Sequence, residues 1–358
     1  MKVGIVGAGP IGLGSAALLA SRGHAPFIWS PRGSRVDASS GQLRITTAGL
    51  FESQVTVPVV STPAGLADAE VVLFCVLGNA HKAVTDTIAP HLHAAQTIVI
   101  SSHSSLGALY LSRLLAQRGI APCVLTLATT VTGGPIQDGV VQIRMLRNEI
   151  DVAAMPVSAL PEGVALLRSL FGDLFVPSDD LMAISLSNLN PQIHLANGML
   201  NFTRMENGER WDNYGGITES VGRLIEALDV ERLAIAAAFG VRVRTAREHY
   251  LKSFSGLTPG SVHEMARTVN AQRAGSSPGP TSIRSRYFTE DIPFGIASTI
   301  AIARVAGVPT PLHEAGLALL SAACGRDFRA DNDLLPALDL DRMTAGELQA
   351  RARNGWPR

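Results

Sequence analysis

The chain has 358 residues, a length typical of two domains, and 46% of them are hydrophobic, which is enough for large cores. Lysine plus arginine and aspartate plus glutamate each number 30, and this neutral balance argues against nucleic acid or a membrane surface as a partner. The three cysteines are far apart without a CxxC spacing, and no apolar run reaches the roughly 18 residues of a membrane span, so we expect a soluble, cytoplasmic protein with reduced thiols.

The first half of the sequence alternates strand-like and helix-like segments. A buried strand is predicted at Val3–Val6, a helix at Pro10–Ser21 and a second strand at Ala25–Ser30. Later strands are predicted at Glu70–Leu77, Thr97–Ser101, Cys123–Leu127, Val140–Met145 and Ile150–Ala154, with helices from about Ala80 and at Gly107–Arg118. Because the strands are apolar runs separated by helices, we expect a parallel sheet with helices on both faces.

From about Met182 the sequence changes character, because strand signals largely vanish and long helical stretches take their place. Helices are predicted at Leu181–Arg204, Ile217–Phe239, Arg242–Ser253, Phe294–Ala306 and Pro311–Cys324. We place the domain boundary in the segment 176–180. The expected fold class is α/β: a Rossmann-type, doubly wound parallel sheet over residues 1–178, followed by a mostly α-helical domain over residues 179–358.

The segment between the first strand and the first helix is a candidate phosphate-binding loop of the GxGxxG type. Gly7 permits the tight turn, Gly9 lets the backbone approach a pyrophosphate, and Gly12 lets helix and strand pack closely. Pro10 costs little in the first helical turn, and together with Ile11 it opens a helix whose N–H groups and dipole attract an anion. The sequence therefore predicts binding of a nicotinamide dinucleotide.

The end of the second strand indicates which dinucleotide is preferred. An acidic residue at this place holds the ribose 2′-hydroxyl of NAD, but the chain has Ser30 and no carboxylate before Asp37. Arg32 and Arg35 are placed to pair with a 2′-phosphate, although solvated loop charges would give the same pattern. We expect NADP(H), with NAD(H) as the alternative.

The chemistry requires a group that exchanges protons near neutral pH. A histidine suits this better than any of the three lysines, which are poorly placed. His194 has the most suggestive surroundings, because it lies just past the domain boundary, where a cleft would form. Judged from the segment Ser187–His194 alone, however, His194 is better interpreted as a buried structural histidine than as a catalytic one.

Five segments of the chain resemble the opine dehydrogenase family, which includes octopine and nopaline dehydrogenases and the N-(1-carboxyethyl)-norvaline dehydrogenase type. They read SLSNLNPQIH over 185–194, GITESVG over 216–222, DVERLAIA over 229–236, RYFTEDI over 286–292 and VPTPL over 308–312. The resemblance spans most of the chain and is strongest in its helical half.

The resemblance implies both a reaction and a set of residues that carry it. The family condenses the amine of an amino acid with a 2-oxo acid and reduces the imine with hydride from NAD(P)H. His194 matches the family's catalytic histidine, Asp291 the carboxylate that holds its imidazole, and Arg286 an arginine that meets the cofactor pyrophosphate. The resemblance also implies small-molecule substrates and a homodimer. Without it, Asp291 would be an acid at a helix N-terminus and Arg286 a solvated charge.

Three strand ends depart from the family's pattern. The chain has Val76–Asn79 where the family has Val-Pro-Ala, and Ser-Ser-His-Ser-Ser over 101–105 where the family has Asn-Pro-Gly. Ala128–Thr130 replaces a Glu-Thr or Glu-Ala-Thr motif, and no arginine follows before Arg144. Because substrates bind at strand ends in this fold, these changes put the usual contacts to the oxo acid in doubt.

Substrate contacts are expected from Asn190, His103 and Thr129, although residues 101–105 would also suit a plain polar loop. Two other functions remain open: a hydroxyacid dehydrogenase or imine reductase on the same scaffold, and a dinucleotide-binding sensor without catalysis. The retained His194 and Asp291 argue against the sensor. No metal site is expected, because the histidine pair His91 and His93 has no cysteine or carboxylate nearby.

Overall fold

The computed structural model describes residues 1–33, 35–36, 40–102, 106–273 and 277–357. The chain forms two compact units, of which the first comprises Met1–Ser185 and Gln349–Arg358 and the second Leu186–Leu348. The predicted α/β fold class with a helical second part is confirmed. The division into domains 1–178 and 179–358 stays a prediction.

All strands that the described residues form lie in the first unit. In chain order they are β1 Lys2–Val6, β2 Ala25–Trp29, β3 Gln42–Gly49, β4 Ser53–Pro58, β5 Val71–Phe74, β6 Thr97–Ile100, β7 Cys123–Leu127, β8 Thr132–Gly133, β9 Ile136–Gln137, β10 Val140–Ile143, β11 Met145–Leu146, β12 Ile150–Met155 and β13 Phe175–Pro177.

The α-helices are numbered in the same way. They are α1 Pro10–Ser21, α2 His81–Ile88, α3 Gly107–Gln117, α4 Leu160–Phe171, α5 Leu181–Ser187, α6 Asn190–Leu200, α7 Phe202–Glu206, α8 Glu219–Ala238, α9 Ala246–Ser253, α10 Val262–Arg273, α11 Ala297–Ala306, α12 Pro311–Cys324, α13 Leu334–Leu338 and α14 Ala345–Asn354. A π-helical segment, Tyr287–Ile296, runs directly into α11. Within the described ranges, no helix has both the length and the apolar character needed to cross a bilayer.

The main sheet has seven strands in the order β13-β12-β7-β6-β5-β1-β2. Its five strands from β7 to β2 are parallel to one another, as expected. The prediction of a parallel strand at Ile150–Ala154 is wrong, because β12 is antiparallel to β7. A parallel neighbour needs a long crossover that usually contains a helix, whereas only short strands lie between β7 and β12. β13 pairs with β12, so Val176 and Pro177 of the predicted boundary segment are strand.

A second sheet in the first unit has the order β4-β3-β10-β9. The sequence predicts no element in the region of β3 and β4. β10 pairs with β3 and β9 in this second sheet, so the expectation that Val140–Met145 extends the parallel sheet is wrong. Helix α1 contacts strands of both sheets, which explains why its residues are small. At Gly14 a Cβ would lie 2.8 Å from Thr132 Oγ1.

The second unit packs its helices around one apolar core. The prediction of a single helix at Leu181–Arg204 is wrong, because the chain divides into α5, α6 and α7. Proline inside a helix removes a hydrogen bond and clashes with the preceding turn, so Pro191 lies in the first turn of a new helix, α6. The Asn188 side chain accepts the Asn190 N–H at 3.1 Å and stabilises this break.

Candidate active site

The loop after β1 has the geometry that a dinucleotide pyrophosphate requires. Gly7 has φ +111°, and a Cβ there would lie 2.6 Å from the Cys75 carbonyl oxygen. A Cβ on Gly12 would lie 2.0 Å from the Gly7 carbonyl oxygen. A Cβ on Gly9, in contrast, would meet no described atom within 4 Å. The turn and the helix packing therefore require Gly7 and Gly12, whereas the fold alone does not require Gly9, which leaves space for a ligand to approach the backbone.

Helix α1 begins directly at this loop. Gly9 is its N-cap in an extended conformation, Pro10 occupies its first turn, and the Gly9 carbonyl oxygen accepts the Leu13 N–H at 2.9 Å. Ile11 is half-buried, and the first turn, all of which is described, contains no acidic residue. The N–H groups of the first turn and the positive end of the helix dipole are thus available to an anion.

The turn after β2 contains the residues predicted to select the dinucleotide. Ser30 is half-buried, and its carbonyl oxygen accepts the Gly33 N–H at 3.1 Å. Arg32 and Arg35 are exposed, and neither forms an ion pair with another described residue; Arg35 has φ +65°. Asp37 lies outside the described residues. Two guanidinium groups are therefore available near the place where the second strand ends.

His194 and Asp291 are in direct contact in the second unit. Nδ1 of His194, on α6, lies 2.8 Å from Oδ2 of Asp291, on the π-helical segment. The side chains are 18% and 7% exposed, respectively. The carboxylate accepts the Nδ1 proton and fixes the tautomer, so Nε2 on the other side of the ring is the nitrogen that can exchange a proton.

The contact exists because α6 and the π-helical segment approach each other very closely. Gly295 lies against Pro191, and a Cβ on Gly295 would be only 2.3 Å from Pro191 Cγ. The π-helical segment also contains Pro293, whose carbonyl oxygen accepts a hydrogen bond from the Asn332 side chain at 2.9 Å. π-helical turns are rare and are frequent at functional sites, and this one places Asp291 beside the histidine.

A third residue, absent from the sequence-based candidates, completes the group. The ring of Tyr287 stacks on the His194 imidazole with 3.7 Å between centroids and 14° between planes. Tyr287 lies in the quoted motif RYFTEDI, four residues before Asp291. That spacing on a helix places two residues on one face and is the signal that could have identified it.

Of the other predicted site residues, the structure describes Arg286, Asn190 and Thr129. Arg286 bonds to Glu290 at 2.7 Å and keeps a side chain that is 64% exposed. Asn190 is exposed at the start of α6, one helical turn before His194. Thr129 is half-buried after β7 in the first unit, and His103 lies outside the described residues. Within the described ranges, no three histidine, cysteine or acidic side chains are grouped so as to hold a metal.

Two family models match the chain, one in each half. The model for ketopantoate reductase PanE/ApbA matches residues 3–154, and the model for the α-helical domain of NAD/NADP octopine/nopaline dehydrogenase matches residues 177–324. An opine dehydrogenase from Arthrobacter sp. (strain 1C) is 29% identical over 352 residues, which is 97% of each chain. The helical half of the chain thus matches the octopine/nopaline dehydrogenase model, and the whole chain is similar to an opine dehydrogenase. It is therefore an NAD(P)-dependent oxidoreductase of the class that acts on CH–NH groups.

Solved opine dehydrogenases share the fold. An octopine dehydrogenase determined with NADH and L-arginine superposes with a TM-score of 0.78 at 18% identity, covering 100% of both chains. A yersinopine dehydrogenase determined with NADP⁺ superposes with a TM-score of 0.73 at 16% identity, covering 99% of both chains. The first of these relatives was determined with NADH and the second with NADP⁺, which supports the predicted binding of a nicotinamide dinucleotide.

Proposed function

We propose that this protein is an opine dehydrogenase, which reduces the imine formed between an amino acid, or another amine, and a 2-oxo acid. The contact between His194 and Asp291 carries the proposal. It lies in the part of the chain that matches the octopine/nopaline dehydrogenase model. Octopine dehydrogenase has been determined with L-arginine and with pyruvate, an amino acid and a 2-oxo acid, which supports the same two substrate classes here.

The proposed reaction consists of three bond changes at one carbon. The amine nitrogen adds to the carbonyl carbon of the 2-oxo acid, the former carbonyl oxygen leaves as water, and the imine carbon receives a hydride while its nitrogen keeps a proton. Bound NAD(P)H supplies the hydride. The balance is one amine, one 2-oxo acid, one NAD(P)H and one proton giving the secondary amine, water and NAD(P)⁺.

The role of His194 is to move protons at its Nε2 atom. It accepts a proton from the adding amine and donates one to the oxygen that departs as water. Each acceptance makes the ring an imidazolium, which Asp291 stabilises from 2.8 Å while keeping Nε2 in position. The pair is mostly buried, which strengthens this charge interaction relative to water.

The proposed cofactor is NADP(H), with NAD(H) as the alternative. Arg32 and Arg35 supply exposed guanidinium groups for a 2′-phosphate, and Ser30 avoids the repulsion that a carboxylate would cause there. Arg286 remains a proposed pyrophosphate contact, because its side chain stays exposed beside Glu290.

Several further assignments are parts of the same proposal. Asn190 and Thr129 are proposed substrate contacts, the former because it precedes His194 by one helical turn. His103 is also proposed, outside the described residues. We also propose that the protein is a homodimer, that its domains are residues 1–178 and 179–358, and that it is cytoplasmic.

A single assay tests the proposed reaction. NADPH oxidation is followed with 2-oxo acids alone, with amino acids alone and with crossed pairs. The proposal predicts oxidation only when both partners are present. Oxidation by the 2-oxo acid alone at the rate of the pair would overturn it.

Oxidation of NADPH by the 2-oxo acid alone is what a second candidate function predicts, namely direct reduction of a ketone to a hydroxyacid. The match of residues 3–154 to the ketopantoate reductase model favours it. The two candidates share cofactor and proton carrier and differ only in whether an amine is required, so the crossed assay separates them.

A further inference from the structure

We propose that Tyr287 is a positioning residue that holds the face of the His194 imidazole while Asp291 holds its edge. The inference rests on the proposed function of His194. The two rings stack with 3.7 Å between centroids and 14° between planes, while Asp291 meets Nδ1 at 2.8 Å. An edge contact alone leaves the ring able to tilt about the Nδ1–carboxylate direction, and a parallel ring on its face removes that freedom.

Both restraints come from one continuous piece of backbone. Tyr287 and Asp291 are four residues apart in the π-helical segment, and both are buried. Any movement of this segment relative to α6 therefore shifts the face and edge contacts together. The close contact of Pro191 with Gly295 fixes the distance between the two elements.

The phenol is itself anchored to the helix that carries His194. The Tyr287 hydroxyl donates to Asn213 Oδ1 at 2.6 Å, and Asn197 Nδ2 donates to the same oxygen at 2.9 Å. Asn197 lies three residues after His194 on α6 and is fully buried, and Asn201 Nδ2 donates to its side-chain oxygen at 2.9 Å. These contacts therefore start at His194 and return to α6 at Asn197. Together they hold the imidazole in one orientation.

Tyr287 does not itself supply protons in this proposal. Burial raises the pKa of its hydroxyl well above the ordinary value, so the phenol remains a hydrogen-bond donor to Asn213. Its aromatic face is the surface that the imidazole meets, and such a face attracts a cation. Tyr287 therefore holds the imidazole through its ring and exchanges no proton itself.

The first test compares Tyr287→Leu, which removes the aromatic face, with Tyr287→Phe, which keeps it. Because small misplacements of a reacting group cost up to about 100-fold, we expect Tyr287→Leu to lower kcat at least about 10-fold, while the KM for NADPH changes less than about twofold. Tyr287→Phe should restore kcat to within about fivefold of the wild type, since only the hydrogen bonding of the phenol hydroxyl is lost. A residue with only a structural role would lower the unfolding temperature of Tyr287→Leu without lowering kcat selectively over the KM for NADPH.

An NMR readout makes the result independent of turnover. Resonances of the His194 ring, identified by their loss in His194→Gln, are shifted by the ring current of a stacked phenol. They should move in Tyr287→Leu and stay near their wild-type positions in Tyr287→Phe. Unchanged resonances in Tyr287→Leu would overturn the proposal.

Three comparisons separate failure of this inference from failure of the proposed function. If His194→Ala abolishes turnover and Tyr287→Leu has wild-type kcat, the positioning role is wrong and the role of His194 stands. If His194→Ala itself turns over normally, the proposed role of His194 is wrong, and this inference falls with it. If the wild type oxidises NADPH with no crossed pair of amino acid and 2-oxo acid, the proposed function is wrong.

Should Tyr287→Leu not fold, Asn213→Ala tests the same network with the ring retained. We expect Asn213→Ala to lower kcat, and the double variant with Tyr287→Phe to be no slower than the slower single variant. Additive losses would overturn the anchoring of the phenol by Asn213.

Discussion

Gly295 lies so close to Pro191 that a Cβ on the glycine would stand 2.3 Å from the Cγ of the proline ring. This contact lies three residues before His194 on one element and four residues after Asp291 on the other. It sets the separation across which the imidazole and the carboxylate meet. The composition of two neighbouring helical segments, rather than the two side chains alone, thus determines the geometry of this contact.

Gly295→Ala should weaken both the fold and the site. The added methyl group must push α6 away from the π-helical segment, and overpacking of this kind costs about 1–3 kcal/mol. We expect a lower free energy of unfolding in urea and a lower kcat with an unchanged affinity for NADPH. Gly346→Ala is the matched control, because a Cβ there meets no described atom within 4 Å; it should leave kcat near wild type and should not lower the free energy of unfolding, since alanine is favoured over glycine in a helix. Equal behaviour of the two variants would contradict the role of Gly295.

Gly9→Ala and Gly12→Ala should fail in different ways. A Cβ on Gly9 meets no described atom within 4 Å, so this variant should unfold at the wild-type temperature and lose affinity for NADPH. A Cβ on Gly12 would lie 2.0 Å from a backbone carbonyl oxygen, so this variant should lose stability as well. Thermal unfolding and quenching of NADPH fluorescence measure the two effects. A Gly9→Ala protein that binds NADPH as tightly as the wild type would show that the ligand does not approach this backbone.

Arg32→Ala should change the choice of cofactor. Loss of a charge-assisted contact to the 2′-phosphate should lower kcat/KM for NADPH by about 10-fold or more and leave kcat/KM for NADH nearly unchanged. Steady-state rates with each dinucleotide, at saturating amine and 2-oxo acid, measure the ratio. Arg329→Ala, at an exposed arginine of the helical unit, is the control. Equal use of both cofactors by the wild type would remove the basis for this assignment.

Asp291→Asn should preserve the shape of the site and lose most of its rate. An amide that donates to Nδ1 forces the proton onto Nε2 and no longer stabilises the imidazolium, and such a tautomer error can cost about 10⁴-fold in a Ser-His-Asp triad. We expect a fall in kcat of at least about 100-fold with an unchanged dissociation constant for NADPH. Wild-type turnover in this variant would mean that His194 needs no carboxylate.

His81 should make the stability of the protein fall in mild acid. It is buried beside Phe74, and burial lowers its pKa from 6.5 to about 4. Between these values the unfolded chain binds the proton and the folded chain does not, so the free energy of unfolding decreases as the pH falls from 6.5 towards 4. Urea unfolding at pH 7 and pH 5 measures the slope. His81→Gln should reduce it, whereas His93→Gln, at an exposed histidine, should not. An unchanged slope in His81→Gln would contradict this source of acid sensitivity.

Local signals in the sequence predict some elements to the residue. Pro10–Ser21, Cys123–Leu127 and Pro311–Cys324 have the predicted bounds, because proline marks the start of both helices and the strand is a compact apolar run. The two helices near Ser187 and Asn190 are not predicted, because the apolar period continues across Pro191 and outweighs the break.

Relations between distant segments are less accessible to sequence reasoning. The residues of Ile150–Ala154 do not indicate whether this strand runs parallel or antiparallel to its neighbour. Its direction depends on the lack of a helical crossover between it and the preceding strand of the sheet. His194 and Asp291 are 97 residues apart, and only the family resemblance brings them together before the structure does. The stacking of Tyr287 on His194 depends on the packing of two helical segments and has no local signal beyond its spacing from Asp291.

The most direct test of the central claim is the fate of deuterium from NADPH labelled at the transferable C4 position. The purified protein is supplied with this cofactor, an amino acid and a 2-oxo acid, and the products are examined by mass spectrometry and NMR. We predict a secondary amine that joins the two substrates and carries one deuterium on the former carbonyl carbon, formed by the wild type and not by His194→Ala. A deuterated 2-hydroxy acid with the amino acid unchanged would contradict the account.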